Sequence, residues 1–439
     1  MSSEWKTVEI SSICEGIFDG PHATPKKTER GPVFLGISSL NSGQLNLSDL
    51  EYLSEEDFLK WTKRVTPQEG DLVFSYETRL GQIAIIPDGL RCCLGRRMAL
   101  MRIDLTKAIP EYVLYAYLAP QFQDEIRKRT IHGSTVDRIP LVGFGTFPIS
   151  IPSLNTQKQI VGILKSIDDR ITLLRETNTT LEAIAQALFK SWFVDFDPVH
   201  AKQQGREPEG MDASTAALFP DSFEESELGL VPMGWRVGTL ADVTTVKGGF
   251  AYKSEAFGSV GSPVVKIKNI IGDGTVDLLD AQFIAADMAE KTKRFALVDG
   301  DIVIAMTGAT IGKTGVVITE KNQIPYLNQR VAKFEPNSSG NQNSWFVFVA
   351  FQNSSIFDQV VNTASGSAQP NISTSGIESV RLVLPSSHEL LKAFDNIAAQ
   401  LFKGWIANQK QIQTLANLRD TLLPRLISGQ LRLPDSTPA

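Results

Sequence analysis

The sequence predicts an α+β protein made of two tandem-duplicated domains, each a mixed β-sheet with short helices followed by a long helix. Two observations lead to this fold class: an internal repeat that spans most of the chain, and a heptad pattern of apolar residues after each repeat. A length of 439 residues suffices for two or three domains. Contents of 42% hydrophobic and 21% charged residues are ordinary for a globular protein with a sizeable core.

The repeat consists of four segments, each of which recurs in the second half of the chain at a nearly constant spacing. By first residue, the pairs are Trp5 and Trp235, Glu69 and Asp299 (both 230 apart), Leu94 and Leu327, and Gly133 and Gly366 (both 233 apart). So constant a spacing indicates a tandem duplication.

Each repeat has the same internal order. Short apolar runs broken by Gly, Pro and Asn predict strands and tight turns, and longer periodic stretches such as Glu111–Lys128 and Ser344–Val361 predict helices. The predicted organisation is a globular domain at 1–153, a long helix at 154–195, an acidic linker at 196–233, a second globular domain at 234–385, a second long helix at 386–430 and a C-terminal tail at 431–439.

Apolar residues alternate at spacings of three and four in both long helices, which is a coiled-coil seam. The predicted seam residues are Ile160, Leu164, Ile167, Ile171, Leu174, Asn178 and Leu181 in the first helix, and Phe394, Leu401, Asn408, Leu415 and Leu422 in the second. Asn178 and Asn408 occupy the same seam position. Either each faces solvent where the seam is wide, or a buried polar residue there fixes the register of the helices.

The net charge of −6 is unevenly distributed along the chain. Residues 194–234 hold nine acidic residues against Lys202 and Arg206, so the remainder of the chain is close to neutral. A local basic face therefore remains possible despite the overall charge.

Several classes of protein are excluded by composition. We find no secretory leader and no apolar run that approaches the roughly 20 residues of a transmembrane helix, so no membrane span is expected. Three cysteines and four histidines predict neither a disulfide framework nor a metal site, and a reducing cytoplasm fits best. The stretch VDFDPVH (194–200) places two acids near His200. These residues are either metal ligands or ordinary residues of the acidic linker.

The stretch IAMTGATIGKTGVV (304–317) resembles a phosphate-binding loop but fails its spacing. The first glycine of such a loop would stand at Thr307, and Gly308 lies one position too close to Gly312. The residues that follow Thr314 are β-branched, whereas a phosphate-binding loop opens a helix. The twin stretch SYETRLGQIAII lacks Lys-Thr. The sequence therefore predicts a strand–loop–strand element that binds no ATP.

Other catalytic signatures are also missing from the sequence. The Asn/Asp-Pro-Pro-aromatic motif of amino-methyltransferases is absent, since Asp197-Pro198-Val199 does not match it. Neither a nucleophile elbow nor a dinucleotide-binding or zinc-protease motif is present. No catalytic residue is predicted.

The loops that differ between the repeats are polar and rich in side chains that suit DNA. Arg and Lys bind guanine edges and phosphates, and Asn and Gln bind adenine edges, although any single one of them could be an ordinary solvated side chain. The candidates are Lys26, Lys27, Arg30, Thr78, Arg79, Arg96, Arg97, His132 and Ser134 in the first repeat, and Tyr252, Lys253, Lys266, Lys268, Asn269, Thr307, Thr310, Lys313, Asn328, Gln329, Arg330, Gln369 and Asn371 in the second. Two similar folds with divergent polar tips on a helical spacer suggest a reader of two different half-sites.

Long motifs in both halves resemble the specificity subunit of type I restriction–modification enzymes. They are VPMGWRVGTLADV, GDIVIAMTGATIGKTGVV, LNQRVAKF, SGSAQPNIS, LFKSWFVDFDPVHAK and LRDTLLPRLISGQL, within a match from Trp5 to Leu431. The resemblance implies two target recognition domains and two long helices that pack as an antiparallel coiled coil with pseudo-two-fold symmetry.

The resemblance also implies partners and a division of labour. The chain itself would have no catalysis and bind no cofactor. It would bind double-stranded DNA at a bipartite, gapped site and two modification (methyltransferase) subunits, and through them restriction–translocation subunits. S-adenosylmethionine, ATP and Mg²⁺ are implied for those partner subunits. The rival hypotheses are a protein–protein scaffold with two peptide-binding modules, and a stand-alone methyltransferase or nuclease.

Overall fold

The computed structural model describes residues 5–133, 136–320, 323–337, 344–364 and 370–433. The chain folds into two compact units. The first takes the described residues of Met1–Ile171 and Thr414–Ala439, and the second takes those of Thr172–Gln413. Each unit therefore combines one globular domain with segments of both long helices.

The first unit is built on an antiparallel four-stranded sheet with a smaller sheet beside it. The strands of the large sheet, in spatial order, are Cys14–Asp19, Met98–Ile103, Leu72–Ser75 and Ile83–Ile85. The smaller sheet orders Glu51–Leu53, Lys27–Leu35 and Cys92–Leu94, and further pairs are Lys6–Glu9 with Pro148–Ile151 and Leu40–Asn41 with Gln44–Leu45. Helices Glu55–Trp61, Pro110–Leu118, Pro120–Arg129 and Leu141–Phe144 complete the domain.

The second unit repeats this plan. Its large sheet orders Thr245–Gly248, Val331–Glu335, Ile302–Ala305 and Thr314–Val316, and its second sheet orders Phe257–Gly258, Gln282–Ile284, Ser262–Val265 and Tyr326–Leu327. Strand Arg236–Thr239 pairs with Arg381–Leu384. Helices are Ala286–Lys291, Ser344–Ala350, Ser354–Asn362 and Thr374–Glu378. Corresponding strands lie in corresponding places, as the duplication predicts.

Both long helices have 40 residues, Leu154–Phe193 and His388–Ile427. The Ser153 hydroxyl accepts a hydrogen bond from the N–H of Thr156 at the start of the first helix, which satisfies one of its free donors. The second helix ends at Ile427 and is followed by Gly429 (φ +73°), where a Cβ would approach the Trp5 indole to 2.9 Å. Only glycine fits both that backbone conformation and that contact.

The helices pack against each other within each unit. In the second unit, Phe189 and Trp192 contact Phe394, whereas Asn178 meets Asn408 further along, so the two segments run antiparallel. In the first unit, Ile160 and Leu164 share a core with Leu423, Leu426 and Ile427. An ion pair of 3.0 Å between Arg419 and Asp168 lies beside that core.

The predicted seam is accurate in the first helix and shifts by one position in the second. Ile160, Leu164, Ile167, Ile171, Leu174 and Asn178 are buried, Leu181 is half-buried, and Phe394 is buried. Leu401, Asn408, Leu415 and Leu422 are half-buried, and the fully buried positions are Phe402, Trp405, Ile412 and Leu423. Phe402, Trp405 and Ile412 each lie 231 residues after Ile171, Leu174 and Leu181, so a fixed spacing of 230 places these seam positions one residue early.

Residues 196–233 are folded as part of the second unit. They contain the helices Asp197–Gln203 and Ala213–Ala216 and a hairpin of Phe223–Ser226 with Gly229–Pro232. Val199 and Phe219 are buried in the core around Trp192 and Trp235. Proline, aromatic and valine residues interspersed among the acids provide this apolar contact. The prediction of an acidic linker was based on charge and did not consider these residues. His200 stacks on Phe223 with ring centroids 4.5 Å apart.

In the parts of the chain that are described, none of the helices combines the length and apolar character that crossing a membrane requires.

Candidate nucleic-acid interface

Four loops converge at one end of the sheets in the first unit, and we call this surface the first face. It comprises residues 36–39, 76–79, 95–97 and 137–139. Backbone hydrogen bonds tie the loops together: Tyr76 N–H donates to the Arg97 carbonyl (3.2 Å), and Ile139 N–H donates to the Tyr76 carbonyl (2.8 Å). An antiparallel bridge joins Glu77 to Arg138. The side chains that project from these loops therefore share a fixed surface.

The second unit holds the same arrangement, which we call the second face. It comprises residues 266–269, 306–310, 328–330 and 370–372. Met306 N–H donates to the Arg330 carbonyl (3.0 Å), Ile372 N–H donates to the Met306 carbonyl (2.9 Å), and Thr307 bridges Asn371. Each of these bonds is the counterpart of one in the first face at the spacing of the internal repeat. The duplication therefore preserves the backbone while the side chains on it change.

The first face stores backbone strain. Thr78 and Arg97 adopt left-handed conformations with φ of +70° and +72°. Such conformations are costly for a β-branched residue and cluster at functional sites. The Arg97 guanidinium donates to the Thr78 hydroxyl at 3.1 Å, so the two strained residues hold each other.

Desolvated polar atoms also gather at both faces. The Tyr76 hydroxyl and the Thr307 hydroxyl are buried, and neither has a hydrogen-bond partner within the described residues. Burial, reinforced by the nearby carboxylates of Glu77 and Asp19, raises the pKa of Tyr76 to about 12. Buried polar groups are normally paired, so unpaired ones here are consistent with a surface that a ligand completes.

The charges of the two faces differ. In the first face Arg97 Nε lies 3.2 Å from a Glu77 carboxylate oxygen, and His132 Nδ1 lies 3.1 Å from Asp137. In the second face burial, Lys268 and Arg330 together lower the pKa of Lys266. The first face thus sets an acid beside Arg97, and the second face brings Lys266, Lys268 and Arg330 together.

Most of the predicted DNA-contacting residues lie on these faces or beside them. On the first are Thr78, Arg79, Arg96 and Arg97, with His132 bound to Asp137; on the second are Lys266, Lys268, Thr307, Thr310, Gln329, Arg330 and Asn371. Asn328 is buried in the second face, where its side chain accepts a hydrogen bond from Arg330 N–H at 3.3 Å. Arg79 is fixed through a 3.1 Å bond to the Ile37 carbonyl, and Thr310 through a 3.3 Å bond to the Ile267 carbonyl.

Other predicted residues have different surroundings. Lys26, Lys27 and Arg30 are exposed at or near the start of the strand Lys27–Leu35, where Lys27 forms an ion pair with Glu51. Lys253 is exposed before the turn Ser254–Ala256. Lys313 is exposed, and its Nζ would lie 3.0 Å from a Cβ at Gly272, in a groove that Phe357 also lines. Ser134 and Gln369 lie outside the described residues.

Tyr252 and Asn269 require a correction. Tyr252 is 8% exposed, and its hydroxyl bonds to Thr292 at 3.1 Å. Asn269 is 2% exposed, and its amide accepts from Lys266 N–H (2.9 Å) and donates to the Asp277 carbonyl (2.8 Å). Both side chains support the loops from beneath, which replaces the predicted base contact with a structural role.

The sequence-based prediction missed three charged residues of the first face: Glu77, Asp137 and Arg138. Arg138 aligns with Asn371 and Glu77 with Thr307, at the repeat spacings, so a systematic alignment of the repeats would have found them.

The GKT stretch has the predicted strand–loop–strand form. Gly308–Thr310 is a single 3₁₀ turn and Thr314–Val316 is a strand in the large sheet. The loop therefore leads into no helix N-terminus of the kind that receives phosphates in nucleotide-binding loops.

The fold and the two faces define a duplicated recognition protein, with two related polar surfaces on domains joined by long helices. The model of the type I restriction modification DNA specificity domain matches residues 2–183 and 232–415. The chain therefore belongs to this family, and it carries the DNA specificity domain twice.

Individual relatives agree with this assignment. The specificity subunit of the type I restriction enzyme HindI from Haemophilus influenzae is 26% identical over 409 residues, covering 83% of this chain and 87% of the relative. The MjaIX specificity subunit from Methanocaldococcus jannaschii is 25% identical over 388 residues, covering 87% and 82%. The crystal structure of the type I S subunit from M. genitalium has the same fold, with a TM-score of 0.56, 16% identity and coverage of 99% and 97%.

Proposed function

We propose that each unit reads one half of an asymmetric, bipartite DNA site through its four-loop face. The two halves differ in sequence because the two faces carry different side chains. Arg138 stands where the second face has Asn371, and Arg96 stands where it has Gln329. Arginine favours guanine edges and phosphates, and asparagine and glutamine favour adenine edges, so the faces select different bases.

The repetition of one backbone scheme with divergent side chains carries this proposal. A catalytic duplication would preserve reactive side chains, whereas Glu77 becomes Thr307 and Tyr76 becomes Met306 between the faces. The polar and charged character of both faces also fits DNA better than the apolar grooves that a peptide-binding scaffold needs.

The long helices act as the spacer and as the docking surface for partners in this proposal. They set the length of the unread gap and bind two methyltransferase subunits, and restriction–translocation subunits associate through those. The chain contributes recognition and no catalysis. S-adenosylmethionine, ATP and Mg²⁺ belong to the partners. The protein then works in the prokaryotic cytoplasm, where its DNA target lies.

Methylation mapping tests the proposal. Genomic DNA from cells that express this chain with its modification subunit is sequenced by a single-molecule method, against cells that lack only this chain. We expect modified adenines confined to one gapped, bipartite motif in the first sample. An identical pattern in both samples, with the complex shown to assemble, would overturn the proposal.

A further inference from the structure

Charge differs between the two faces at several aligned positions, and three of these set the surroundings of an arginine that both faces share. Lys266 and Lys268 of the second face correspond to Gly36 and Ser38 of the first in the alignment of the two repeats. Thr307 corresponds to Glu77 at the same spacing. An arginine is common to both faces, as Arg97 and Arg330. The same scaffold therefore surrounds one arginine with a carboxylate and the other with lysines.

Backbone contacts bring the cations of the second face together. Asn328 N–H donates to the Val265 carbonyl at 3.1 Å, which sets Lys266 beside the loop that carries Arg330. The Asn269 side chain closes the turn 267–269 and so fixes Lys266 and Lys268 on either side of Ile267. The bond from Asn328 to Val265 has an equivalent in the first unit, where Gly95 N–H donates to the Leu35 carbonyl at 2.7 Å. The cluster is therefore built by the fold and not by chance rotamers.

Little negative charge offsets this cluster. Within the described residues, the ion pair of Lys268 with Asp280 (2.6 Å) is the one salt bridge that involves these three cations, and the Asp280 side chain is 90% exposed. Exposed pairs of this kind contribute little and exchange partners readily. Lys266 Nζ instead contacts the Gln282 amide and lies 3.5 Å from the centre of the Phe257 ring. Repulsion from Lys268 and Arg330, after burial, destabilises its charged form.

In the first face, the arginine at the equivalent position has a carboxylate beside it. Glu77 approaches Arg97 to 3.2 Å, and the Thr78 hydroxyl accepts from its guanidinium at 3.1 Å. Arg97 thus has a carboxylate within ion-pair distance and a hydrogen bond that orients it, whereas Arg330 has no such carboxylate within the described residues.

We infer that Lys266, Lys268 and Arg330 form a binding site for the phosphodiester backbone of DNA in the second unit. This inference rests on the proposed function and adds a division of labour to it. The second face anchors the backbone, and Arg97, latched by Glu77, makes a smaller electrostatic contribution. Phosphate oxygens would supply the negative charge that the cluster lacks, and this contact carries no sequence information.

Salt dependence of DNA binding measures such contacts directly. Each phosphate neutralised by a protein cation contributes about 0.9 to the slope of log affinity against log salt. The measurement uses the complex of this chain with its modification subunits and a duplex that contains the methylated motif. We expect Arg330→Gln to reduce the slope by about one and Arg97→Gln to change it much less. Both residues sit at the same position of the repeat, so each variant is the matched control of the other.

A reciprocal exchange of the neighbouring side chain provides a second test. Thr307→Glu should give Arg330 the carboxylate partner that Arg97 has, and so lower both affinity and slope. Glu77→Thr should release Arg97 and raise the slope. Equal slopes for Arg97→Gln and Arg330→Gln would overturn the inference, as would a Thr307→Glu variant that binds with unchanged salt dependence.

Two readouts separate this inference from the proposed function. Methylation mapping of Arg330→Gln should return the same motif at lower occupancy, because phosphate contacts do not specify bases. If the second half of the motif changed while the salt dependence of binding did not, the inference of a phosphate site would be wrong, but the proposed reading of half-sites would stand. Inorganic phosphate replacing chloride at constant ionic strength should not compete with DNA. Selective competition that Arg330→Gln abolishes would identify a free-anion site instead.

Discussion

Asn178 and Asn408 meet in the seam between the long helices of the second unit. Asn408 Nδ2 donates to Asn178 Oδ1 at 2.9 Å, and Asn178 Nδ2 donates to the Trp405 carbonyl at 3.2 Å. Asn178 is only 3% exposed. Of the two interpretations that the sequence leaves open, the structure favours the buried polar contact. A polar pair in an otherwise apolar seam penalises every register that separates its members.

Replacing one member of this pair should cost more than replacing both. Asn178→Leu leaves the Asn408 amide without its partner, and we expect a loss of about 1–3 kcal/mol in the free energy of unfolding. The double variant Asn178→Leu/Asn408→Leu should recover much of that loss, because no polar group remains unpaired. Urea unfolding of the four proteins in a double-mutant cycle gives the coupling energy. A coupling energy of zero would show that the contact fixes nothing.

Asp395 should make the stability of the second unit depend on pH. Its carboxylate accepts hydrogen bonds of 2.9 Å from the N–H groups of Trp345 and Phe346 at the start of the helix Ser344–Ala350. Burial outweighs these bonds and raises its pKa from 3.8 to about 6. The folded protein therefore retains a proton that the unfolded chain releases. The stability that this proton provides is complete below pH 4 and is lost as the pH rises through 6.

Asp395→Asn tests this sign. The asparagine oxygen still accepts both hydrogen bonds but never ionises. At pH 7.5 the variant should be more stable than the unmodified chain by a margin on the order of 2 kcal/mol, and at pH 4 the two should be equal within about 0.5 kcal/mol. Urea midpoints at pH 4, 6 and 7.5 give the comparison. A constant difference at all three values would rule out the titration.

Lys313→Met tests whether the GKT loop takes part in ATP chemistry. Because the loop leads into the strand Thr314–Val316, we expect ATP turnover by the assembled complex to persist wherever DNA binding persists. Turnover and DNA binding are measured on the same preparation. Loss of turnover with normal DNA binding would show that the loop has a catalytic role after all.

Much of the fold can be predicted from the sequence because the two repeats can be compared with each other. Two copies of one pattern separate the scaffold, which repeats, from the loops, which do not. The heptad of the first helix is unbroken and its seam is predicted residue by residue. In the second helix, Gly404 faces Leu181 and the buried positions shift to Phe402 and Trp405, a change that only packing decides.

The faces were harder to predict because exposure depends on long-range contacts. Tyr252 and Asn269 belong to residue types that bind bases, yet tertiary hydrogen bonds to Thr292 and Asp277 bury them. Glu77 is inconspicuous in the sequence, and its importance arises only where the fold sets it beside Arg97. Residues 196–233 are acidic enough to suggest a solvated linker, but Val199 and Phe219 anchor them in the core.

The central claim is that the two units read two half-sites independently, and an exchange of one domain tests it most directly. Residues 1–150 are replaced by the equivalent segment of a relative with a different motif, and adenine methylation is mapped in cells that also express the modification subunit. We expect a hybrid motif in which one half-site changes while the other half-site and the gap between them are preserved. A motif altered in both halves, in a complex shown to assemble, would contradict it.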